Sequence, residues 1–311
     1  MKVYNNIDDF KPISNAIVTI GTFDGVHFGH QKIIERLKLL AAQVDGQVVL
    51  LTFFPHPRMV IFPDDHGLQL LNTLSEKKQL LAQSGVNHLI IHPFSKSFSR
   101  LTSTQFIKDI LVEKLKTHTL VIGYDHHFGR NREGSFDNLI ELAPLYNFKV
   151  EQIPEQDVHD MAVSSTKIRN ALLSGDLQTA TDFLGYNFTL TGTVVHGKKL
   201  GRTLGFPTAN LAINENYKLI PANGVYAVTV TINTNNTQKF AGALSIGNRP
   251  TFDNGPRSIE VYLINFTGDL YGQELTLSFK HYLRGDIAFS TTEALVSQIN
   301  EDVKQVTKLL L

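Results

Sequence analysis

The sequence predicts two domains of different class: an α/β domain with a parallel sheet over residues 1–185, and a small antiparallel β-barrel with a terminal helix over residues 186–311. Three observations carry this. Strand-like and helix-like periods alternate through the first half, the pattern of a parallel sheet with crossover helices. Beyond about Tyr186 the helical period disappears and short strands separated by turns take over. The 311 residues also suit two domains of roughly 100 to 200 residues better than one or three.

Ala16–Ile20 is an unbroken apolar run that reads as a buried strand. From Gly29 onward Ile33, Ile34, Leu37, Leu40, Ala41 and Val44 recur at helical spacing. Val48–Phe53 is the next strand, and Thr73 with Glu76 forms a capping-box pattern for a helix that Gly85 can end. His88–His92 is strand-like, and a helix from about Ser103 carries Phe106, Ile107, Ile110, Leu111 and Leu115. Thr119–Gly123 returns to strand before helical spacing through Leu139, Ile140 and Ala143, and Ser174-Gly175-Asp176 breaks two further helices. In the second half Thr189–His196, Gly224–Ile232, Phe240–Ile246, Ile259–Phe266 and Leu275–His281 read as strands. Turns are expected at Pro221-Ala222-Asn223-Gly224 and Asp253-Asn254-Gly255-Pro256. The last helix, from about Thr292, places Leu295, Val296, Ile299, Val303, Val306 and Leu310 in a stripe that would cover the barrel.

Composition narrows the function. With 42% apolar and 19% charged residues a sizeable core is available. The 29 Lys plus Arg balance 29 Asp plus Glu and no cationic block stands out, which argues against a general binder of nucleic acid or anionic membrane. The absence of cysteine excludes disulfides, thiolate catalysis and Cys-ligated metal sites, and fits a reducing cytosol. Met1–Phe10 is polar and carries Asp8 and Asp9, so no secretory signal is expected, and no apolar run reaches membrane-spanning length. The expected location is the cytoplasm.

Gly21-Thr22-Phe23-Asp24-Gly25-Val26-His27-Phe28-Gly29-His30 follows the first strand directly and opens the first helix. In open α/β sheets this corner is where ligands bind. Glycines let the backbone approach a polyphosphate closely, and a helix N-terminus offers N–H groups and positive potential. His27 and His30 lie on the same side of one turn, so both imidazoles can donate to phosphate oxygens as charge builds there. Structural capping and metal ligation are the alternative uses of such a pair. Neither GxxxxGK[ST] nor GxGxxG occurs. Farther on, Ser164, Ser165 and Thr166 can cap the helix that continues through Ile168 and Leu172, and Arg169 one turn later adds a fixed cation. Asp125 follows a strand end, where a carboxylate serves ribose hydroxyls, an adenine edge, magnesium or simply a turn. Prolines on both sides hold His56 rigid.

These stretches resemble the prokaryotic bifunctional riboflavin kinase and FAD synthetase family, and the resemblance covers essentially the whole chain. HxGH at His27–His30, then Phe54-Pro55-His56-Pro57, Gly123-Tyr124-Asp125-His126-His127-Phe128-Gly129 and Ser164-Ser165-Thr166-Lys167-Ile168-Arg169 follow the family's order. The resemblance implies a Rossmann-like nucleotidyltransferase domain. It places ATP and FMN against Gly21, Phe23, Asp24, His56, Asp125, Ser164, Ser165 and Thr166, with His27, His30 and Arg169 stabilising the transferred group. One departure is that many relatives carry a basic residue just before the double serine, where Met161 and Ala162 stand here. Weaker flavin-phosphate affinity is expected from it.

The second constellation is the glycine-bearing basic stretch from Gly192 to Leu211, which can wrap a polyphosphate or serve ordinary barrel turns. Its run GRTLGFPTANL resembles the family's riboflavin kinase signature, in which PTAN is the magnesium–nucleotide motif. If extended, Thr208 and Asn210 point to one side and offer two oxygens to one hard cation. The resemblance puts ATP and flavin against Gly192, His196, Gly197, Gly201, Arg202, Gly205, Pro207, Asn248 and Arg284, and the metal on Thr208 and Asn210. Alone, Glu260 reads as the wet face of an alternating strand. In the family's E-x-x-x-x-x-F context, matched by Glu260 and Phe266, it is the general base that takes the proton of the flavin 5′-hydroxyl. Ser245–Phe252 and Asp269–Gly272 match family stretches too, whereas Gly285–Phe289 after Arg284 is less typical.

The resemblance thus implies two enzymes in one chain. The barrel would pass the γ-phosphoryl group of MgATP to riboflavin, giving FMN; the first domain would join FMN to a second ATP, giving FAD and pyrophosphate. Both steps rest on positioning and charge stabilisation, with no covalent enzyme intermediate. Riboflavin, FMN and ATP are the expected small-molecule partners and Mg2+ the metal, with no nucleic acid or membrane, and with room for a weak homo-oligomer. The alternatives are a paralogue with one active half, the kinase, and a flavin-binding regulator that senses FMN or acts on RNA. The presence of Glu260, Thr208, Asn210 and both histidines speaks against a degenerate sensor, and zero net charge against RNA binding.

Overall fold

The computed structural model describes residues 1–64, 67–124, 126–153, 163–197, 200–234, 237–247 and 257–311. They form two compact units, Met1–Ser165 and Thr166–Leu311.

The first unit contains β1 (Lys2–Tyr4), β2 (Ala16–Ile20), α1 (Phe28–Gln43), β3 (Gln47–Phe54), α2 (Pro57–Ile61), α3 (Leu74–Gln83) and β4 (His88–Pro93). Then come α4 (Ser103–Gln105), continued by a π-helical stretch Phe106–Lys114, β5 (Thr117–Gly123), α5 (Phe136–Leu142) and β6 (Lys149–Ile153). The six strands form one sheet in the order β1-β4-β3-β2-β5-β6. Every pairing in it is parallel. Because successive strand residues face opposite sides, Val18 and Ile20 enter one core with Phe106, Ile107 and Leu111, while Ile17 enters another with Ile34 and Leu37 of α1. Both faces are therefore covered, as a parallel sheet requires. Thr73 and Glu76 make the expected capping box at α3, and Gly85 leaves that helix at a φ of +92°. The edge strands β1 and β6 were not among the expected strands: one is three residues long, and neither carries an unbroken apolar run.

The second unit opens with α6 (Ser165–Ser174), whose first residue belongs to the first unit, and α7 (Leu177–Leu184). Gly175 separates them at a φ of +81°. There follow β7 (Thr189–Val195), α8 (Leu200–Thr203), β8 (Ala209–Ala212), β9 (Gly224–Ile232), β10 (Gln238–Gly247), β11 (Ser258–Leu263), β12 (Glu274–Arg284) and α9 (Thr292–Leu310). The six strands close into a barrel in the order β10-β11-β8-β7-β12-β9, with every pairing antiparallel. Val228, Val230, Leu244, Val261, Leu275 and Leu277 are fully buried. β11 stops at Leu263, short of the expected Phe266, because Asn265 turns the chain with a φ of +60°. The α9 stripe divides in two. Val303, Val306 and Leu310 pack with Ala227, Ala241 and Ile264, while Leu295, Ile299 and again Val303 face a cavity. The turn expected at Asp253–Pro256 lies outside the described residues.

The change of structural class at Tyr186 and the division into compact units fall at different places, since α6 and α7 precede the first barrel strand yet belong to the barrel's unit. α7 packs on β12, and the Leu172 carbonyl of α6 accepts from the Ala222 N–H at 2.9 Å. Losing both helices uncovers that side of the barrel. A fragment of residues 166–311 is therefore expected to unfold at least about 5 °C above one of residues 186–311, as an effect of the order of 1 kcal/mol would produce. Calorimetry of the two fragments checks this, and equal midpoints would show that the helices add nothing to the barrel.

Candidate functional site

In the first unit the strand order reverses around β2, whose neighbours are β3 on one side and β5 on the other. That reversal opens a crevice at the carboxyl ends of β2 and β5, where open α/β sheets bind ligands. The loop from Gly21 to His27 lies there. Phe23, Gly25 and Val26 have φ values of +47°, +87° and +37°, so its backbone is unusually contorted. Its carbonyls are held by the protein. Thr22 O accepts from Lys77 Nζ at 2.7 Å and from the Thr52 hydroxyl at 3.2 Å, Phe23 O from Val26 N–H at 3.3 Å, Asp24 O from the Ser165 hydroxyl at 2.9 Å, and Val26 O from Gln31 Nε2 at 3.0 Å. The buried Asp24 carboxylate accepts the Leu71 N–H at 2.9 Å.

His27 stands at the N-cap of α1 without a side-chain cap bond, which removes the capping role for it. Its ring stacks on His30 with centroids 3.7 Å apart, and the Phe23 ring is tilted against His30 at 4.6 Å. The His30 Nδ1 is buried and has no hydrogen-bond partner. Burial first, then the charges of His27 and Lys77, push His30 well below its ordinary 6.5, so it is neutral at neutral pH. Lys77 itself is held below its usual value by burial, which Asp24 opposes.

The other residues expected here are more dispersed. His56 caps α2, accepting the Arg58 N–H at 3.2 Å, and is half-buried. Gly21 N–H donates to Leu51 O at 3.1 Å. Ser164 and Ser165 close the first unit, while Thr166 and Arg169 open the second, so the serine–arginine motif straddles the division. Asp125, Met161 and Ala162 lie outside the described residues.

The second unit carries a cavity of about 220 Å3 lined by α8, β11, the end of β12 and α9. Glu260 is on its wall. Both of its carboxylate oxygens accept hydroxyl protons, Oε1 from Ser258 at 2.9 Å and Oε2 from Thr208 at 3.1 Å. Asn210 stands opposite Glu260 in the β8–β11 register, so the two side chains share a face. Gly197 comes so close that a Cβ there would sit 2.3 Å from the Asn210 amide nitrogen; only glycine leaves the amide in place. Gly201 is equally restricted, by the Phe206 carbonyl at 2.3 Å. Arg284 forms a two-pronged ion pair with the buried Asp302, Nε to Oδ1 at 3.0 Å and the terminal nitrogen to Oδ2 at 2.7 Å. The remaining wall is largely apolar, with Phe206 edge-on to Tyr262 at 5.6 Å and Ile287, Phe289 and Ile299 beyond.

Around this cavity, Arg202 is exposed on α8, and Gly205 and Pro207 are exposed on the segment between α8 and β8, which Gly205 turns with a φ of +86°. Gly192 lies within β7 against the Ala212 carbonyl, and the His196 ring packs on Tyr271 at 4.0 Å. Neither lines the cavity. Asn248, Lys198 and Lys199 lie outside the described residues. Sequence reasoning missed Lys77, Ser258 and Asp302. The available signals were a lysine one turn from Leu74 and Leu81 on a helix, a serine two residues before Glu260, and an aspartate beside the apolar stripe of α9.

Among the described residues no group of three or more His, Asp or Glu side chains could hold a metal ion by itself, and no helix is long and apolar enough to cross a membrane. Residues 10–167 match the family model described as FAD synthetase, and residues 184–310 the one described as riboflavin kinase. A bifunctional riboflavin kinase/FMN adenylyltransferase of Listeria monocytogenes is 38% identical over 93% of this chain and 90% of its own. Its namesake in Escherichia coli K12 is 34% identical over 97% and 96%. A solved structure titled as a macrolide-efflux protein of Streptococcus pneumoniae shares the fold at a TM-score of 0.87, with 29% identity and 98% coverage of both chains.

The His30 environment sets a pH dependence. Unfolded, its imidazole takes a proton near 6.5; folded, it does so only at lower pH. The unfolded state therefore binds more protons in that window, and stability is lost as pH falls below 6.5, with no His30 contribution above it. Denaturant unfolding between about pH 5 and pH 7.5 should show a shallower acid loss in His30→Gln than in the parent. Parallel curves would place His30 in an ordinary, solvated environment.

Proposed function

The chain belongs to the bifunctional riboflavin kinase/FMN adenylyltransferase family, and we propose from that premise which residues carry each reaction. The protein phosphorylates riboflavin to FMN with ATP, and it adenylylates FMN with ATP to FAD and pyrophosphate. The functional halves are residues 1–185 for the adenylyl transfer and 186–311 for the kinase.

The observation that carries the kinase reading is the Glu260 carboxylate held at a cavity wall by two hydroxyls. So held, it meets an incoming alcohol in one orientation. It takes the proton of the 5′-hydroxyl as that oxygen attacks the γ-phosphorus of ATP. The apolar wall around Tyr262, Ile287 and Ile299 suits the flavin ring, and the Arg284–Asp302 pair closes the end beside α9. The donor set beside Glu260 suits magnesium, a hard cation that prefers oxygen. The Thr208 hydroxyl donates a hydrogen bond to Glu260 and keeps lone pairs for a metal, with the Asn210 side chain on the same face. Magnesium held there would neutralise phosphate charge. The glycines and Arg202 of the loops between β7 and β8 are assigned to the nucleotide.

In the first unit His27 and His30 are assigned to the ATP phosphates. The FMN phosphate oxygen attacks the α-phosphorus, the bond to the pyrophosphate oxygen breaks, and the two imidazoles donate to the oxygens on which charge develops. Arg169 and the hydroxyls of Ser164, Ser165 and Thr166 are assigned to the same phosphates on the sequence motif, and Gly21, Phe23, Asp24 and His56 to the nucleotide and flavin. The chemistry of these substrates and the absence of cysteine support a cytoplasmic location.

A pair of single variants tests the division of labour. Glu260→Gln keeps size and hydrogen-bonding reach but accepts no proton, so riboflavin phosphorylation should fall by about 10² to 10⁴-fold while FAD formation from supplied FMN is unchanged. His30→Ala should do the reverse, with FAD formation slowed by about 10² to 10³-fold. Chromatographic separation of the flavins reads both. A Glu260→Gln turnover within about threefold of the parent would remove Glu260 from the mechanism.

A further inference from the structure

Lys77 is the one lysine of α3 that the protein buries, with 4% of its surface exposed, whereas Lys78 on the same turn is not among the buried residues. A buried ammonium is costly unless its protons meet acceptors and its charge a counter-charge. Here the acceptor is Thr22 O at 2.7 Å and the counter-charge is Asp24. Both belong to the contorted loop between β2 and α1, not to the helix that carries the lysine. Three of the four residues Phe23 to Val26 have positive φ, two of them without being glycine, and such a backbone persists only where its surroundings over-determine it. Lys77 grips the start of that loop, just before the first positive φ, and the capping box formed by Thr73 and Glu76 holds the start of α3 in turn. The same ammonium acts electrostatically on His30.

We infer that Lys77 is a positioning residue for adenylyl transfer: its ammonium fixes the loop that leads into His27 and His30, and its positive charge acts on the His30 ring. The inference rests on the assignment of these histidines to the ATP phosphates. Two consequences follow from the chemistry. Burial, with the charges of His27 and Lys77 adding to it, keeps His30 neutral in the free protein, with one ring N–H left to donate. The Lys77 ammonium adds to the positive field into which the polyphosphate enters, and it does so without touching substrate. The groups facing His30 in this arrangement are His27 from the N-cap of α1, Lys77 from α3 and, through Lys77, Asp24 from the loop.

The test is Lys77→Met in the full chain, with both activities and the His30 imidazole followed in the same preparation. Expected are a fall in kcat for FAD formation from FMN of about 10 to 100-fold, as for a small displacement of reacting groups, and a smaller change in KM. The rate of riboflavin phosphorylation stays at the parent value. In the NMR titration the His30 midpoint rises toward 6.5, because one of the charges that depresses it is gone. A lysine whose charge does not reach His30 would not move that midpoint. Parent-like kcat for FAD formation, or an unmoved His30 midpoint, overturns the inference. If Lys77→Met leaves the first unit unfolded by circular dichroism, Lys77→Gln, which is neutral but polar, is judged by the same two criteria. Failure of the parent itself to form FAD would instead sink the assignment of the reaction to this site.

Discussion

A backbone corner can face a polyphosphate only if its own carbonyl oxygens are satisfied from behind, and that constraint organises the first unit. The oxygens of Thr22, Phe23, Asp24 and Val26 are taken by Lys77 and Thr52, by Val26, by Ser165 and by Gln31 respectively. The donors come from α3, β3, α1 and Ser165, so packing α1 and α3 onto the sheet and shaping the loop are one event. The parallel order around β2 puts the corner at an open crevice, and burial, helped by the charges of His27 and Lys77, holds His30 neutral there.

The barrel meets the corresponding demand with a carboxylate. Glu260 belongs to the outward-facing set of β11, whose alternate residues Val261 and Leu263 fill the barrel. It is neither in the core nor left to solvent, because α8 and Leu295, Ile299 and Val303 of α9 line the same cavity. Ser258 reaches Glu260 along the strand, and Thr208 reaches it from the residue just before β8. Two separately built sites for two phosphate transfers are what a chain with both activities needs.

Much of this was legible in the sequence, for reasons that differ by element. Ala16–Ile20 has its predicted bounds because a strand buried on both faces is apolar at every position. The α3 cap and the break at Gly175 were legible because each depends on a few adjacent side chains. β8 was harder: four residues within a glycine-bearing stretch show no period, and they become a strand through pairing with β7 and β11. The motifs exposed the histidine pair and Glu260, but not what holds them. Lys77 lies 55 residues from Thr22, and Thr208 lies 52 from Glu260, separations that no local pattern bridges. Reading by period also assigns a lysine or an aspartate to the wet face, which hid both Lys77 and Asp302.

The central claim is that each site carries one reaction by itself, with free FMN as the link. Mixing equal amounts of Glu260→Gln and His30→Ala protein, then supplying riboflavin, ATP and magnesium, tests it most directly. Little FAD is expected from either variant alone and abundant FAD from the mixture, since FMN made by one molecule is adenylylated by the other. FAD at the parent rate from either variant alone, or none from the mixture, would contradict it.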